Sequence, residues 1–331
     1  MRLCLSVIMA LVAVLSPAVV WAEPQKASPT LSCPGNPAAL GTTRDILIDP
    51  SVPIAVGLKT YPQTLDLQDH EVVLTFDDGP SPKTTPRVLE ALEHECVRAT
   101  FFLIGRNAQA APALVKREIA DGDSVGHHTW SHPEVTERGL TEAQAKADIQ
   151  HGFAADDKAA YGSADQAPRV PFFRFPGFAD TPPLMAWLAD RHVAVFGADL
   201  WASDWVKQTP DAELGLLMDR LNAQGRGIIL LHDVKEQTAV MLPSLLTALK
   251  KGGYHIVAIK PGQGPTVLRS APAGWSSETE KTVAALMPKL LRARPAQATP
   301  TGVAKPSLST SETARPAAPV ADDPLPGVPL R

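Results

Sequence analysis

The segment Val73-Leu74-Thr75-Phe76-Asp77-Asp78-Gly79-Pro80 runs from an apolar, β-prone stretch straight into two adjacent acids and a Gly-Pro turn. A continuous apolar run that ends on turn residues reads as a strand buried on both faces, the kind found in parallel sheets. Neighbouring residues on a strand point to opposite faces, but at a strand end the turn can bring both carboxylates to one cavity. Two acids with unlike roles then become possible, one binding a metal and the other accepting a proton. An Asp-Gly turn alone is common punctuation, so its neighbours decide how this segment is read.

Outward from it the pattern repeats. Short apolar runs at 71–76, 99–104, 123–126, 172–175, 192–197, 228–231 and 255–259 alternate with helical patterns at 84–94, 108–120, 141–160, 183–190, 211–222 and 239–250. This alternation predicts an α/β fold of about seven parallel strands with helices outside, either an open doubly wound sheet or a barrel. Both architectures place their sites at the carboxyl ends of strands.

Several of those ends carry chemistry. After the 123–126 run, His128 and His132 are four residues apart, so one helical turn would put both imidazoles on one face; Pro133 keeps that turn short. With one Asp they would make a two-His-one-carboxylate set with open positions, which suits catalytic rather than structural zinc. Arg174 sits in the apolar run Phe172-Phe173-Arg174-Phe175. A guanidinium in a core is costly without a carboxylate, so it either points outward or pairs inside a polar site. Past 192–197, Asp204 lies among Trp201 and Trp205, indoles that either stack on sugar rings or pack the core. The run 228–231 ends on His232-Asp233, a place for a proton donor that titrates near neutrality.

Together and in this order, these segments resemble the polysaccharide deacetylase family, the NodB-homology domain of family 4 carbohydrate esterases, over roughly residues 70–260. The resemblance implies a distorted (β/α) barrel. It implies that Asp78, His128 and His132 hold a zinc ion, with cobalt or another divalent ion as the alternative, and that Asp77 is the general base. His232 would be the acid that protonates the departing amine, Asp204 the carboxylate that orients it, and Arg174 the partner that keeps Asp77 ionised. The backbone N–H of Gly177 would face the oxyanion, and Trp205 and Leu230 would wall the acetyl methyl. Three positions depart from the family pattern: His127 stands where Asn is frequent, Gly177 where many relatives have Tyr, and Trp201 where many have Asp. The implied reaction is hydrolysis of N-acetyl groups on N-acetylglucosamine-type units of peptidoglycan, chitin-like chains or poly-N-acetylglucosamine. The rivals are an O-acetyl esterase on xylan or another glycan, and a non-catalytic carbohydrate-binding barrel.

Composition frames these expectations. With 31 Lys+Arg against 35 Asp+Glu, the chain lacks the positive field of a general nucleic-acid binder, so no nucleic-acid partner is expected. Residues 1–22 have the charge, apolar core and small-residue end of a secretory signal, which predicts cleavage after Ala22, export to the periplasm or medium, and no stable membrane span afterwards. Cys4 would leave with the signal. Cys33 and Cys96 would then be bridged, closing a loop worth about 4 kcal/mol in the chain-entropy model; two unpaired buried thiols are the alternative. Residues 23–69 read as an irregular arm, 70–262 as the catalytic domain, and 263–331 as a Pro/Ala-rich, largely disordered tail, with a peripheral helix allowed at 278–292. A cut near Gly264 is accordingly expected to leave the fold intact.

Overall fold

The computed structural model describes residues 33–133 and 137–293. Its strands are β1 (Thr42–Ile48), β2 (Ala55–Val56), β3 (Gln63–Leu65), β4 (Glu71–Asp77), β5 (Thr100–Leu103), β6 (Ser124–His127), β7 (Phe172–Phe173), β8 (Ala194–Phe196), β9 (Leu200–Trp201), β10 (Gly227–His232), β11 (His255–Pro261) and β12 (Leu268–Ser270). The helices are α1 (Thr85–His94), α2 (Gly105–Ala110), α3 (Pro112–Ala120), α4 (Glu142–Tyr161), α5 (Pro182–Ala189), α6 (Pro210–Gln224), α7 (Glu236–Lys251) and α8 (Glu278–Ala293), with 3-10 turns at Glu137–Gly139 and Pro176–Phe178.

Ten strands form one sheet in the order β1-β11-β4-β5-β6-β7-β8-β2, with β10 joined to β4 and β9. Its registered pairs are all parallel, and β3 with β12 makes a separate antiparallel ribbon. The sheet curls into a distorted (β/α) barrel with the helices packed outside.

The period of two in β4 sorts its side chains. Val72, Leu74 and Phe76 pack with Val88, Leu89 and Leu92 of α1 and with Leu242, Leu245 and Leu249 of α7, whereas Val73 joins Phe102, Phe172, Phe196, Ile228 and Ile259 in the barrel interior. Each such buried side chain contributes about 1.5–3 kcal/mol. Thr75 and Asp77 share the parity of Val73, so this alternation sends them inward.

Four features differ from the sequence reading. The arm at 23–69 contains a strand of the main sheet: β1 pairs β11 along its length. Arg44 and Asp45 break its apolar run, and its edge position leaves a mixed burial pattern that hid it. The helix expected at 108–120 is two helices, because Pro112 cannot donate a hydrogen bond within a helix and instead opens α3. The strands β2 and β9 are two residues long, too short to show a period. The fourth concerns the tail, which is ordered at 263–293. There β12 pairs β3, the Trp275 indole N–H donates to Leu58 O at 2.7 Å, and the Glu278 and Thr279 N–H groups donate to Lys59 O at 2.9 and 3.1 Å. A cut near Gly264 therefore removes a strand and a helix tied to the barrel. These ties are hydrogen bonds to residues more than 200 positions away, which local composition cannot reveal. The expected signal at 1–22 and the Pro/Ala-rich stretch at 294–331 lie outside the described residues. Cys33 and Cys96 form a disulfide with their Cα atoms 5.7 Å apart. Among the described residues no helix is long and apolar enough to cross a membrane.

Candidate active site

Register assembles the site. His232 at the end of β10 is opposite Asp77 at the end of β4; Asp77 is opposite Phe102 of β5; Leu103 is opposite His127 of β6, and His127 is opposite Phe173 of β7. The five strands thus finish together, which brings the residues just past β4, β6 and β7, Asp78, His128 and Arg174, close to one another at one end of the barrel. Asp78 adopts φ 76°, a left-handed conformation that Asp tolerates better than most residues; its N–H donates to Phe102 O at 3.2 Å and its carbonyl accepts from Asn107 Nδ2 at 2.8 Å.

His128 and His132 converge, but not on a helix. Thr129 and His132 both have positive φ, and the His132 N–H donates to Thr129 Oγ1 at 3.0 Å, which closes a tight turn. The neighbouring backbone groups are taken up elsewhere. Trp130 N–H donates to Asp148 O, Thr129 O accepts from Gly105 N, and Trp130 O accepts from Arg106 N. With α2 and α4 supplying these partners, no i−4 ladder forms. Gly152 lets α4 approach this closely: a Cβ there would lie 2.6 Å from the Thr129 carbonyl carbon.

The Oδ1 of Asp78 lies 3.5 Å from Nε2 of His128 and 3.5 Å from Nε2 of His132, and the three ligand atoms fall within 4.8 Å of one another. The His128 Nδ1–H donates to Arg174 O at 2.8 Å, which turns the Nε2 lone pair toward Asp78. Burial pushes the His128 imidazole down to about 4. Burial also opposes ionisation of Asp78, but His132, His232 and His128 together outweigh it and bring the carboxyl down to about 2. Asp78 Oδ1 is nonetheless buried without a hydrogen-bond donor among the described residues. An orphaned carboxylate oxygen facing a neutral imidazole's lone pair is unfavourable alone and is what a divalent cation compensates, so the set fits a metal.

Flanking this set are two ion pairs. Arg174, fully buried, donates from Nη1 to Asp77 Oδ1 at 2.6 Å and to Thr75 Oγ1 at 2.9 Å, and from Nη2 to Gly197 O at 2.8 Å. Burial lowers the Arg174 pKa from its ordinary value and the Asp77 carboxylate opposes that fall. On the other side, His232 Nδ1 is 2.8 Å from Asp204 Oδ1, while its Nε2 is 3.9 Å from Asp78 Oδ2. Burial opposes a charge on His232, but Asp204, Asp78 and Asp77 prevail and raise it to about 9.

Leu230, Trp205, Trp201, Phe178 and Ala198 form one apolar cluster, in which the Trp205 ring stands edge-on 6.0 Å from His232. Gly177 sits beside it in the turn Pro176–Phe178 at φ 56° and ψ 18°, a conformation that costs glycine little. Trp201 is buried in this cluster, under the Lys59 ammonium at 4.8 Å. His127, which shares a strand face with Val125, points to the helices and pairs with Asp156, so it does not reach the cavity.

Sequence reading missed Thr75, which accepts from Arg174 and donates to Ile229 O at 2.7 Å, and Phe178 in the apolar wall. The parity of Thr75 with Asp77 on one strand was the available signal. It also missed Thr238 of α7, which lies 2.9 Å from Asp204 Oδ2 and carries no local motif.

A parallel barrel whose strand ends carry a two-His-one-carboxylate set, flanked by a paired acid and a paired imidazole, defines a metal-dependent hydrolase scaffold. The family profile described as Polysaccharide deacetylase matches residues 65–181. A peptidoglycan-N-acetylglucosamine deacetylase of Bacillus cereus is 32% identical over 208 residues, covering 60% of this chain and 73% of its own length. Peptidoglycan-N-acetylglucosamine deacetylase PgdA of Listeria monocytogenes is 32% identical over 190 residues, 57% of this chain, and the chain spans 38% of that protein's length. Among solved structures, a peptidoglycan deacetylase of Bdellovibrio bacteriovorus superimposes with a TM-score of 0.59 at 29% identity, covering 66% of this chain and 59% of its own. The chain belongs to the polysaccharide deacetylase family.

Proposed function

We propose that this chain hydrolyses the N-acetyl amide of N-acetylglucosamine-type units in a glycan polymer, with peptidoglycan the foremost substrate class. The observation that carries the reading is the convergence of Asp78, His128 and His132 between the Arg174-paired Asp77 and the Asp204-paired His232. The names of the relatives support the same substrate class.

In this reading Asp78, His128 and His132 hold zinc, or cobalt in its place. When bound, the cation supplies Lewis acidity at the acetyl carbonyl and lowers the pKa of water. Asp77 takes one proton from the attacking water, and Arg174 orients that carboxylate by a bond to one oxygen. The water oxygen bonds to the acetyl carbon and the carbon–nitrogen bond breaks. His232, charged at neutral pH, gives its proton to the departing nitrogen, so the products are a free amine and acetic acid, which gives up its proton to the solvent and leaves as acetate. The Gly177 N–H is the proposed donor to the oxyanion, and Trp205 with Leu230 excludes water around the acetyl methyl. The domain scheme is kept with one change, the catalytic unit extending from β1 to α8. Export is the companion proposal, supported by the disulfide, which persists in oxidising compartments.

The test is acetate release from matched N- and O-acetylated glycans, with chelator, then with added zinc or cobalt. Release from the amide substrates, lost on chelation and restored by metal, is expected. Release from esters alone would make the chain an O-acetyl esterase, and no release with metal present would end the enzymatic reading.

A further inference from the structure

Behind Asp204, away from the cavity, lies a buried acid that the chemistry above does not use. Glu213, in the first turn of α6, is fully buried, and so is Thr238 of α7, which stands between the two acids. The Thr238 hydroxyl oxygen is 2.9 Å from Asp204 Oδ2 and 3.0 Å from Glu213 Oε1. A hydroxyl has a single proton to donate. If both carboxylates were ionised, one of these contacts would hold no hydrogen and would be a repulsion between lone pairs. One of the two acids therefore carries a proton.

The surroundings decide which. Asp204 accepts the His232 backbone N–H at 2.6 Å on Oδ2 and faces the His232 ring Nδ1 on Oδ1, so its negative charge is compensated at both oxygens. Glu213 has no such support. Its Oε2 is buried without a hydrogen-bond donor among the described residues, and the charged groups that face it are Asp204, which repels, and His232 on the far side of Asp204. Burial first, and then the Asp204 charge, raise the Glu213 carboxyl to about 8. A neutral acid with one bare carbonyl oxygen is far cheaper to bury than a carboxylate with one bare charged oxygen.

We propose that Glu213 is a positioning residue held in its protonated form, donating to Thr238 so that the Thr238 hydroxyl is committed to Asp204 and fixes the carboxylate that orients His232. The order of donation is Glu213 to Thr238 to Asp204, with His232 donating to Asp204 from the opposite side. The inference rests on the reading of His232 as the proton donor. No bond to Glu213 is made or broken during turnover; its proton locks the rotor of Thr238 and, through it, the plane of the Asp204 carboxylate.

Infrared difference spectra of the full chain, wild type minus Glu213→Gln, test the proton directly at neutral pH. A carbonyl-stretch band of a protonated carboxyl, present in the wild type and lost in the variant, is expected. An identical band in both proteins overturns the proposal whatever the activity of the enzyme, so its failure is separable from that of the deacetylase reading. Kinetics on an N-acetylated oligosaccharide test the positioning: Glu213→Ala and Thr238→Val should lower kcat about tenfold with KM unchanged, the effect of one lost hydrogen bond to a charged group. Glu213→Gln, whose amide N–H can still donate to Thr238, should recover most of what Glu213→Ala loses. Where the alanine variant does not fold, Thr238→Val, which keeps the side-chain shape, carries the kinetic test, and wild-type turnover in it overturns the proposal.

Discussion

Two histidine–carboxylate pairs in this chain share one local geometry and differ in charge. His127 Nδ1 lies 2.8 Å from Asp156 Oδ2, and His232 Nδ1 lies 2.8 Å from Asp204 Oδ1. Burial pushes His127 down to about 3, and burial with the charges of Asp157 and Glu118 pushes Asp156 well above the carboxylate range. Both shifts favour the uncharged form of that pair. His232 is instead raised to about 9. The contact is the same, so its surroundings make the difference. Asp156 has acids for neighbours and an Oδ1 without a donor among the described residues, whereas Asp204 also receives the His232 backbone N–H and lies against the Thr238 hydroxyl. His127 is 0% exposed and sees no second carboxylate that outweighs its burial; His232 is 13% exposed and faces Asp78 and Asp77. An imidazole next to a carboxylate becomes an acid catalyst only when hydrogen bonds to the carboxylate hold it ionised.

The comparison can be broken most severely at the base. Asp77→Asn should leave both histidine pairs and the proposed metal ligands in place but remove the proposed proton acceptor, so kcat should fall by about 10²–10⁴ while metal content, measured by atomic emission, stays at the wild-type level. Turnover near wild type would transfer the role of base to another group.

Next in size is the charged pair itself. Asp204→Asn removes the carboxylate that raises His232, so kcat at neutral pH should fall by about tenfold to a hundredfold, and the alkaline limb of the rate profile, set near 9 in the wild type, should move to lower pH. The matching change in the neutral pair, His127→Phe, should leave that limb where it is. A shifted limb in His127→Phe would mean that the two pairs are coupled through the barrel.

The neutral pair shows itself in stability. Asp156→Leu alone strands the His127 ring nitrogen and should cost about 1–3 kcal/mol by urea denaturation, while Asp156→Leu combined with His127→Phe should cost less than the single change, because both polar groups are then gone. A double variant weaker than Asp156→Leu would show that the stranded ring nitrogen is not the source of the loss.

The smallest effect is the pH dependence of folding. His232 is raised in the folded state above an unfolded value of about 6.5, so its stabilisation is complete below about 6.5 and is lost as pH rises through about 9. The neutral pair binds one proton when folded, on Asp156, and one when unfolded between about pH 4 and 6.5, on His127, so it contributes no slope in that window. Urea midpoints measured across pH should accordingly decline on the alkaline side for the wild type and decline less for Asp204→Asn.

Strand and helix alternation, the position of Asp77 and Asp78 at the end of a buried run, and the order of the five motifs were all legible along the chain, because burial on both faces and turn chemistry write themselves into adjacent residues. The seven expected strands correspond to β4, β5, β6, β7, β8, β10 and β11. What local pattern could not carry was anything fixed by partners distant in sequence. The edge strand β1, the ordered segment 263–293 with its bonds to Leu58 and Lys59, and the non-helical path from His128 to His132 are each held by hydrogen bonds to other elements. The two adjacent histidines make the same point at the scale of single residues. The four-residue spacing to His132 picks out His128 in the sequence, and the strand parity, together with Asp156 on one side and the Arg174 carbonyl on the other, is what sends the His127 imidazole to the helices and that of His128 toward Asp78. Residue types and their spacing determined which chemistry the chain could carry. The tertiary structure decided which of those groups is charged, because burial, hydrogen-bond donors and neighbouring carboxylates are properties of the assembled barrel rather than of any segment.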